Sequence, residues 1–159
     1  MKQELEDKLV KKYSEFFQHL VDNNTPMINK GEPIEESFKK LKKQKPIVVP
    51  MQFGFECGDG WYWLLNQLMG NIHWYCKNNK IEYPTIDQIK EKFGGLRFYY
   101  SGGNQKIDGM VSLAESMSYH ICEKCGTNKN VGRTEGWITT LCKTCAGKIE
   151  SIVWREYKE

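Results

Sequence analysis

The chain has 159 residues, 40% hydrophobic and 13% aromatic, enough apolar surface for one domain-sized core and too much for a disordered chain. Its 23 basic and 20 acidic residues leave a net charge of +3, which argues against a dedicated nucleic-acid binder held by phosphate neutralisation, though it leaves such binding open. No apolar run reaches the roughly 20 residues that span a bilayer, and the first 20 residues carry charges throughout, so a soluble cytoplasmic chain without a membrane partner is expected.

Leu5, Leu9, Tyr13, Phe16, Phe17 and Leu20 recur at helical spacing until Asp22-Asn23-Asn24-Thr25-Pro26, which predicts an amphipathic helix over residues 2–21. A more polar helix is expected over 32–45: Pro33 suits its first turn, Glu35 and Glu36 stand near its start and a lysine cluster, 39–45, near its end. Residues 1–45 thus read as an N-terminal helical segment. Pro46 and Pro50 bracket a short extended stretch at the start of an α+β core, 46–119.

Within that core, residues 53–60 read as a strand ending in the glycine-rich turn Gly58-Asp59-Gly60, with Asp59 placed to cap the next helix. That helix, 61–78, carries a stripe of Trp61, Leu64, Leu65, Leu68, Ile72, Tyr75 and Cys76, which marks it as central and mostly buried. Extended runs at 85–93 and 96–100 flank Gly94-Gly95. Two glycines supply the positive φ of a tight turn, so a β-hairpin turning at Gly94-Gly95 is predicted. Ile107, Met110, Val111, Ala114, Met117 and Ile121 mark a further amphipathic helix.

Cys122-x-x-Cys125-Gly126 and Cys142-x-x-Cys145 stand 16 residues apart, the spacing of a four-thiolate zinc ribbon. Each two-residue spacer lets both sulfurs reach one ion, and Gly126 permits the tight turn beneath them. Residues 131–141 read as two short strands around Glu135-Gly136, and 120–159 as the ribbon followed by a C-terminal helix. Four thiolates close the coordination, so Zn2+ here is expected to be structural. His120 is a redundant ligand candidate. The predicted fold class is α+β, with helices packed on a small antiparallel sheet or hairpin and a C-terminal zinc ribbon.

Outside the ribbon, Glu56, Asp59 and Trp61 lie at the glycine-rich turn, and Lys92, Arg97 and Tyr99 on the hairpin. Glycines admit a partner close to the backbone, a helix N-terminus offers N–H groups to an anion, and Arg97 and Tyr99 share a strand face. These six are the candidate ligand-binding residues, Arg97 for a phosphate and Tyr99 or Trp61 for a ring. Against this stands a structural reading in which Asp59 caps a helix, Glu56 pairs with Arg97 or Lys92, and Trp61 fills the core. Cys57, beside a helix N-terminus, is the candidate for a nucleophile.

The order Glu56-Cys-Gly-Asp-Gly-Trp61, then Lys90-Glu-Lys-Phe-Gly-Gly-Leu-Arg-Phe-Tyr99, then Cys-x-x-Cys-Gly and Gly136-Trp-Ile-x-Thr-Leu-Cys142 resembles a family of small uncharacterised phage and prophage proteins over about residues 53–145. In that family the last metal position is often histidine, where this chain has Cys145. The resemblance implies an accessory viral protein acting in the host cytoplasm and assigns no chemistry.

The leading expectation is therefore a non-enzymatic protein binding a host protein or an anionic nucleotide-type ligand, in a role such as countering host defence. A DNA- or RNA-binding zinc-ribbon factor, using Lys124, Lys129, Arg133 and Lys143, is the first alternative. An enzyme using Glu56, Cys57 or Asp59 is the second.

Overall fold

The computed structural model describes residues 1–21 and 54–157. The polar helix expected at 32–45, its lysine cluster and the stretch at 46–50 lie outside the described residues.

The N-terminal apolar pattern forms two pieces, α1 (Gln3–Lys12) and a 3-10 turn (Ser14–Val21), not one continuous helix. The break falls at Tyr13, with φ −126° and ψ 43°. Its ring is buried and its hydroxyl donates to the Asn66 carbonyl at 3.0 Å. Gly70 makes the room: a Cβ there would stand 2.9 Å from that hydroxyl. Leu9, Tyr13, Phe16 and Phe17 enter the same core as α2 (Tyr62–Asn79), the long helix predicted after the glycine-rich turn.

Three strands, β1 (Phe55–Glu56), β2 (Thr85–Lys92) and β3 (Gly95–Ser101), stand in the order β1-β2-β3. The β2–β3 pair is the predicted antiparallel hairpin, whereas β1 joins β2 in parallel, because α2 carries the chain back across the sheet between them. Phe55, Ile86, Ile89, Leu96 and Phe98 point into the core. Ile86 and Ile89 are three apart, which strict alternation forbids on one face. A register shift between Ile86 and Gln88 reconciles them.

The hairpin turns one residue earlier than predicted. Lys92 pairs with Gly95, so the loop is Phe93-Gly94, with φ of +54° and +79°, the signs of a type I′ turn. Gly95 serves a different need, since a Cβ there would run into the Tyr119 ring. A Gly94-Gly95 loop would have set Phe93 opposite Leu96 on the core face; instead Phe93 sits at the tip, 67% exposed. Gly94→Val should cost more than about 1 kcal/mol through its left-handed backbone. Gly95→Val should cost as much through Tyr119, and unchanged thermal melts for both would refute this turn.

The helix α3 (Gln105–Ser118) starts at Asn104, whose side chain accepts from the Lys106 and Ile107 N–H groups. Its far end meets β3: Leu96 N–H donates to Ser118 Oγ at 2.8 Å and Phe98 N–H to Glu115 Oε1 at 2.9 Å. At β1, Phe55 N–H donates at 3.0 Å to the buried Glu6 carboxylate of α1.

The cysteine ribbon contains β4 (Val131–Thr134), β5 (Thr140–Cys142), the single turn α4 (Lys143–Ala146) and β6 (Trp154–Glu156), with sheet order β5-β4-β6. A strand therefore stands where a C-terminal helix was expected. Ser151 at φ +59° redirects the chain, and the Trp154 indole donates to the Leu141 carbonyl at 2.9 Å. Gly132 lets β6 approach, because a Cβ there would overlap the Arg155 carbonyl. The ribbon has its own small core of Cys122, Val131, Leu141, Cys142, Cys145 and Ala146. The fold is α+β, with a C-terminal cysteine ribbon beside its strands. Among the described residues, no helix is long and apolar enough to cross a membrane.

Candidate metal centre and ligand face

Cys122, Cys125, Cys142 and Cys145 converge, their sulfurs all within 4.8 Å of one another. A tetrahedral ion with metal–sulfur bonds of about 2.3 Å needs sulfurs about 3.8 Å apart, and Cys125 and Cys142 stand at 3.7 Å. Backbone turns hold them there. Gly126 N–H donates to the Cys122 carbonyl at 2.8 Å with Gly126 at φ +79°, and Cys145 N–H points at the Cys142 sulfur at 3.4 Å. The donor set and geometry fit a metal ion with no fifth position for substrate. Burial, then the neighbouring thiols, pushes the Cys145 thiol up to about 12. Burial also raises Cys125, while the Cys145 N–H and the other thiols lower Cys142 despite its burial. His120 lies outside the cluster and packs against Tyr157, ring centres 6.0 Å apart.

The glycine-rich turn and the first knuckle interlock. Gly60 N–H donates to the Glu123 carbonyl and Gly58 N–H to Glu123 Oε1, both at 2.8 Å. A Cβ on Gly60 would lie 2.5 Å from Gly126 N and 2.7 Å from the Glu123 carbonyl. The close partner these glycines admit is thus the ribbon of the same chain. Trp61 is fully buried, its indole donating to the Ile121 carbonyl at 2.9 Å, so it fills the junction and offers no face to a ligand. Neither Gly58 nor Trp61, the residues ahead of the 3-10 turn Asp59–Trp61 and of α2, makes a side-chain cap, and Asp59 does not cap its own helix. Its carboxylate instead accepts from Lys2 N–H at 2.7 Å and so serves the start of α1.

Beside this junction opens a cleft of about 620 Å³ whose lining includes Cys57, Asp59, Glu123, Trp137 and Leu141. Burial first, then the nearby carboxylates of Glu123, Glu6 and Asp59 against one opposing amine, raises the Cys57 thiol from near 9 to about 12. Among the described residues no histidine hydrogen-bonds to it, and Glu56 points elsewhere, accepting from Gln88 at 2.8 Å. The trio Glu56, Cys57 and Asp59 is therefore not assembled as an acid, base and nucleophile. Because the folded state holds the Cys57 proton more tightly, its contribution to stability is intact below pH about 9 and lost as pH rises toward 12. At pH 8 native protein should leave Cys57 unmodified by iodoacetamide, with labelling appearing on unfolding; rapid native labelling assigned to Cys57 by peptide mapping would contradict this.

The hairpin brings most of the remaining candidates together. Cross-strand pairs Gln88 with Tyr99, Lys90 with Arg97 and Lys92 with Gly95, and the neighbouring pair Glu56 with Lys90, set Glu56, Lys90, Lys92, Arg97 and Tyr99 on the outer face of the sheet. Tyr99 is 43% exposed. Lys90 Nζ lies 5.2 Å from the Tyr99 ring centre and Lys92 Nζ 5.4 Å from that of Phe93. Tyr119 leans over Gly95 onto the same face, and Arg97 donates to its hydroxyl at 3.1 Å. That hydrogen bond, first among several causes, raises Arg97 further above its already high value, so the guanidinium is a fixed cation. Glu56 takes Gln88 as partner, so the pairing with Arg97 or Lys92 considered from sequence is replaced. Tyr119 and Phe93 were missed in the sequence; the only signal was the doubled glycine, one of which makes room for Tyr119.

Comparison with known proteins gives no match: no family model, no curated protein and no solved structure aligns with the chain.

Proposed function

We propose that the protein is a non-enzymatic binding module in which the four cysteines hold a structural Zn2+ and the outer face of β1, β2 and β3 takes an anionic, ring-bearing ligand of nucleotide type. The observation that carries the reading is the grouping of Lys90, Lys92 and Arg97 with Tyr99 and Tyr119 on one exposed sheet face. Guanidinium pairs with phosphate in two-pronged fashion, and aromatic faces stack on bases. All-thiolate coordination suits zinc, and its closure suits a structural role. An accessory role in a phage-infected host, which the resemblance implies, accords with a small module that binds and does not convert.

Titration of the full chain with a fluorescent adenosine diphosphate tests this. Arg97→Ala and Tyr99→Ala should keep the melting temperature within a few degrees and abolish binding. Normal binding by both, with loss in Arg133→Ala, would move the site to the ribbon and favour the host-protein or ribbon-bound nucleic-acid reading.

A further inference from the structure

We infer that the same face is a track for single-stranded nucleic acid, with bases stacked on Tyr99 and Phe93 and phosphates held by Lys90, Lys92 and Arg97. The inference rests on the ligand-face reading above and narrows it from a nucleotide to a strand.

The hairpin tip is the first support. Type I′ turns favour Asn or Gly at both central positions, because a Cβ is unfavourable at positive φ. Phe93 nonetheless holds φ +54° and is 67% exposed. Its ring belongs to neither hydrophobic core. Among the described residues a large ring is thus kept in a strained backbone, mostly turned to solvent and outside both cores, and such outliers gather where a ligand is met.

The second support is repetition. Tyr99 carries Lys90 and Phe93 carries Lys92, each ring with its own ammonium. A nucleotide is likewise a π-face joined to one negative charge, so two ring-and-cation pairs in tandem match successive units of a polymer. Four residues of β3 separate Tyr99 from the turn, about 14 Å at roughly 3.4 Å per residue. One base is too small to touch both rings. Arg97 stands between them, held by Tyr119. Glu56, the acid on the face, is hydrogen-bonded to Gln88. Each lysine stem lets its ammonium swing from the ring to a phosphate when a base takes the ring.

Fluorescence anisotropy of the metal-loaded full chain with labelled 12-nucleotide oligothymidylate and oligouridylate tests the inference. Micromolar binding is expected, at least about tenfold tighter than adenosine diphosphate, with a slope of log K against log salt near −2 from three cations at about 0.7 each on a single strand. Phe93→Asn should raise the melting temperature by relieving the turn, yet weaken oligonucleotide binding at least about fivefold. A purely structural Phe93 would not give that opposition. Oligonucleotides binding no tighter than the diphosphate, and indifferent to Phe93→Asn, would overturn the strand and leave the ligand face standing. Failure of both probes to bind overturns the two readings together. Heparin competing fully while Tyr99→Ala and Phe93→Asn have no effect would reduce the interaction to charge alone and overturn the inference.

Discussion

Replacing Cys142 by Ser should abolish stoichiometric metal binding and unfold the ribbon, residues 122–157, before the rest of the chain. The ribbon core is six small or medium residues, three of them the metal-binding cysteines Cys122, Cys142 and Cys145, too little apolar surface to offset the ordering of its backbone. A four-thiolate zinc site supplies on the order of 10 kcal/mol or more at neutral pH, so with the proposed Zn2+ bound the ion would be the main term holding this part together. The loss should spread, because Trp61 donates to Ile121 and Gly60 to Glu123 across the junction. Proton linkage sharpens the test. Cys145 and Cys125 are raised in the metal-free chain, so both are protonated near neutrality and must release protons to bind. Affinity should then fall by at least about 100-fold for each pH unit of acidification, two protons at tenfold each. Native mass spectrometry and competition with a chromophoric chelator read both effects. Folded, reduced protein with less than one metal ion per chain would sink this account.

Gly60→Ala should lower the melting temperature by about 10 °C, equivalent to about 3 kcal/mol in a chain of this size. The obstacle is backbone on every side: the Cys122 carbonyl, Gly126 N and the Glu123 carbonyl. No rotamer change relieves such a clash, so the knuckle must back away from α2 and the Gly60–Glu123 hydrogen bond must lengthen. Gly109 of α3 provides the control, since a Cβ there meets nothing within 4 Å. Gly109→Ala should raise stability by roughly 0.5–1 kcal/mol through helix propensity and unfolded-chain entropy. Equal melting temperatures for the two variants would show that the turn and the knuckle are not locked together.

What could be read from the sequence follows from where the deciding interactions lie. The apolar stripe of α2 and the two Cys-x-x-Cys pairs announce themselves because helix packing and metal ligation depend on spacings within a few residues. The position of the hairpin turn does not, since loops at Phe93-Gly94 and Gly94-Gly95 both keep Ile89, Leu96 and Phe98 on one face. Tyr119, 24 positions after Gly95, breaks the tie, and no local pattern contains it. Gly58 and Gly60 state that something comes close without saying what; the visitor is the Cys122 knuckle. Asp59 carries the signature of a cap and instead accepts from the N–H of Lys2, the residue before α1, 57 positions earlier. The C-terminal strand was hidden for the same reason, as β6 exists by pairing with β4 and not by a periodicity of its own. Of the candidate site, the metal cluster was local and visible, while the face around Tyr99 needed the register.

The side chains that reach the rim of the first sheet constrain how anything can dock there. On β3 the Leu96 and Phe98 N–H groups are taken by Ser118 and Glu115, and on β1 that of Phe55 by Glu6. Unpaired strand borders are the usual template for an added strand, whether from a peptide, a swapped copy or a growing fibril. Here Leu96, Phe98 and Phe55 already give their edge N–H groups to carboxylates and a hydroxyl from α1 and α3. Backbone zippering at these three positions would have to displace those side chains. The same contacts give a three-stranded sheet with a two-residue outer strand a means of resisting pairing at its rims.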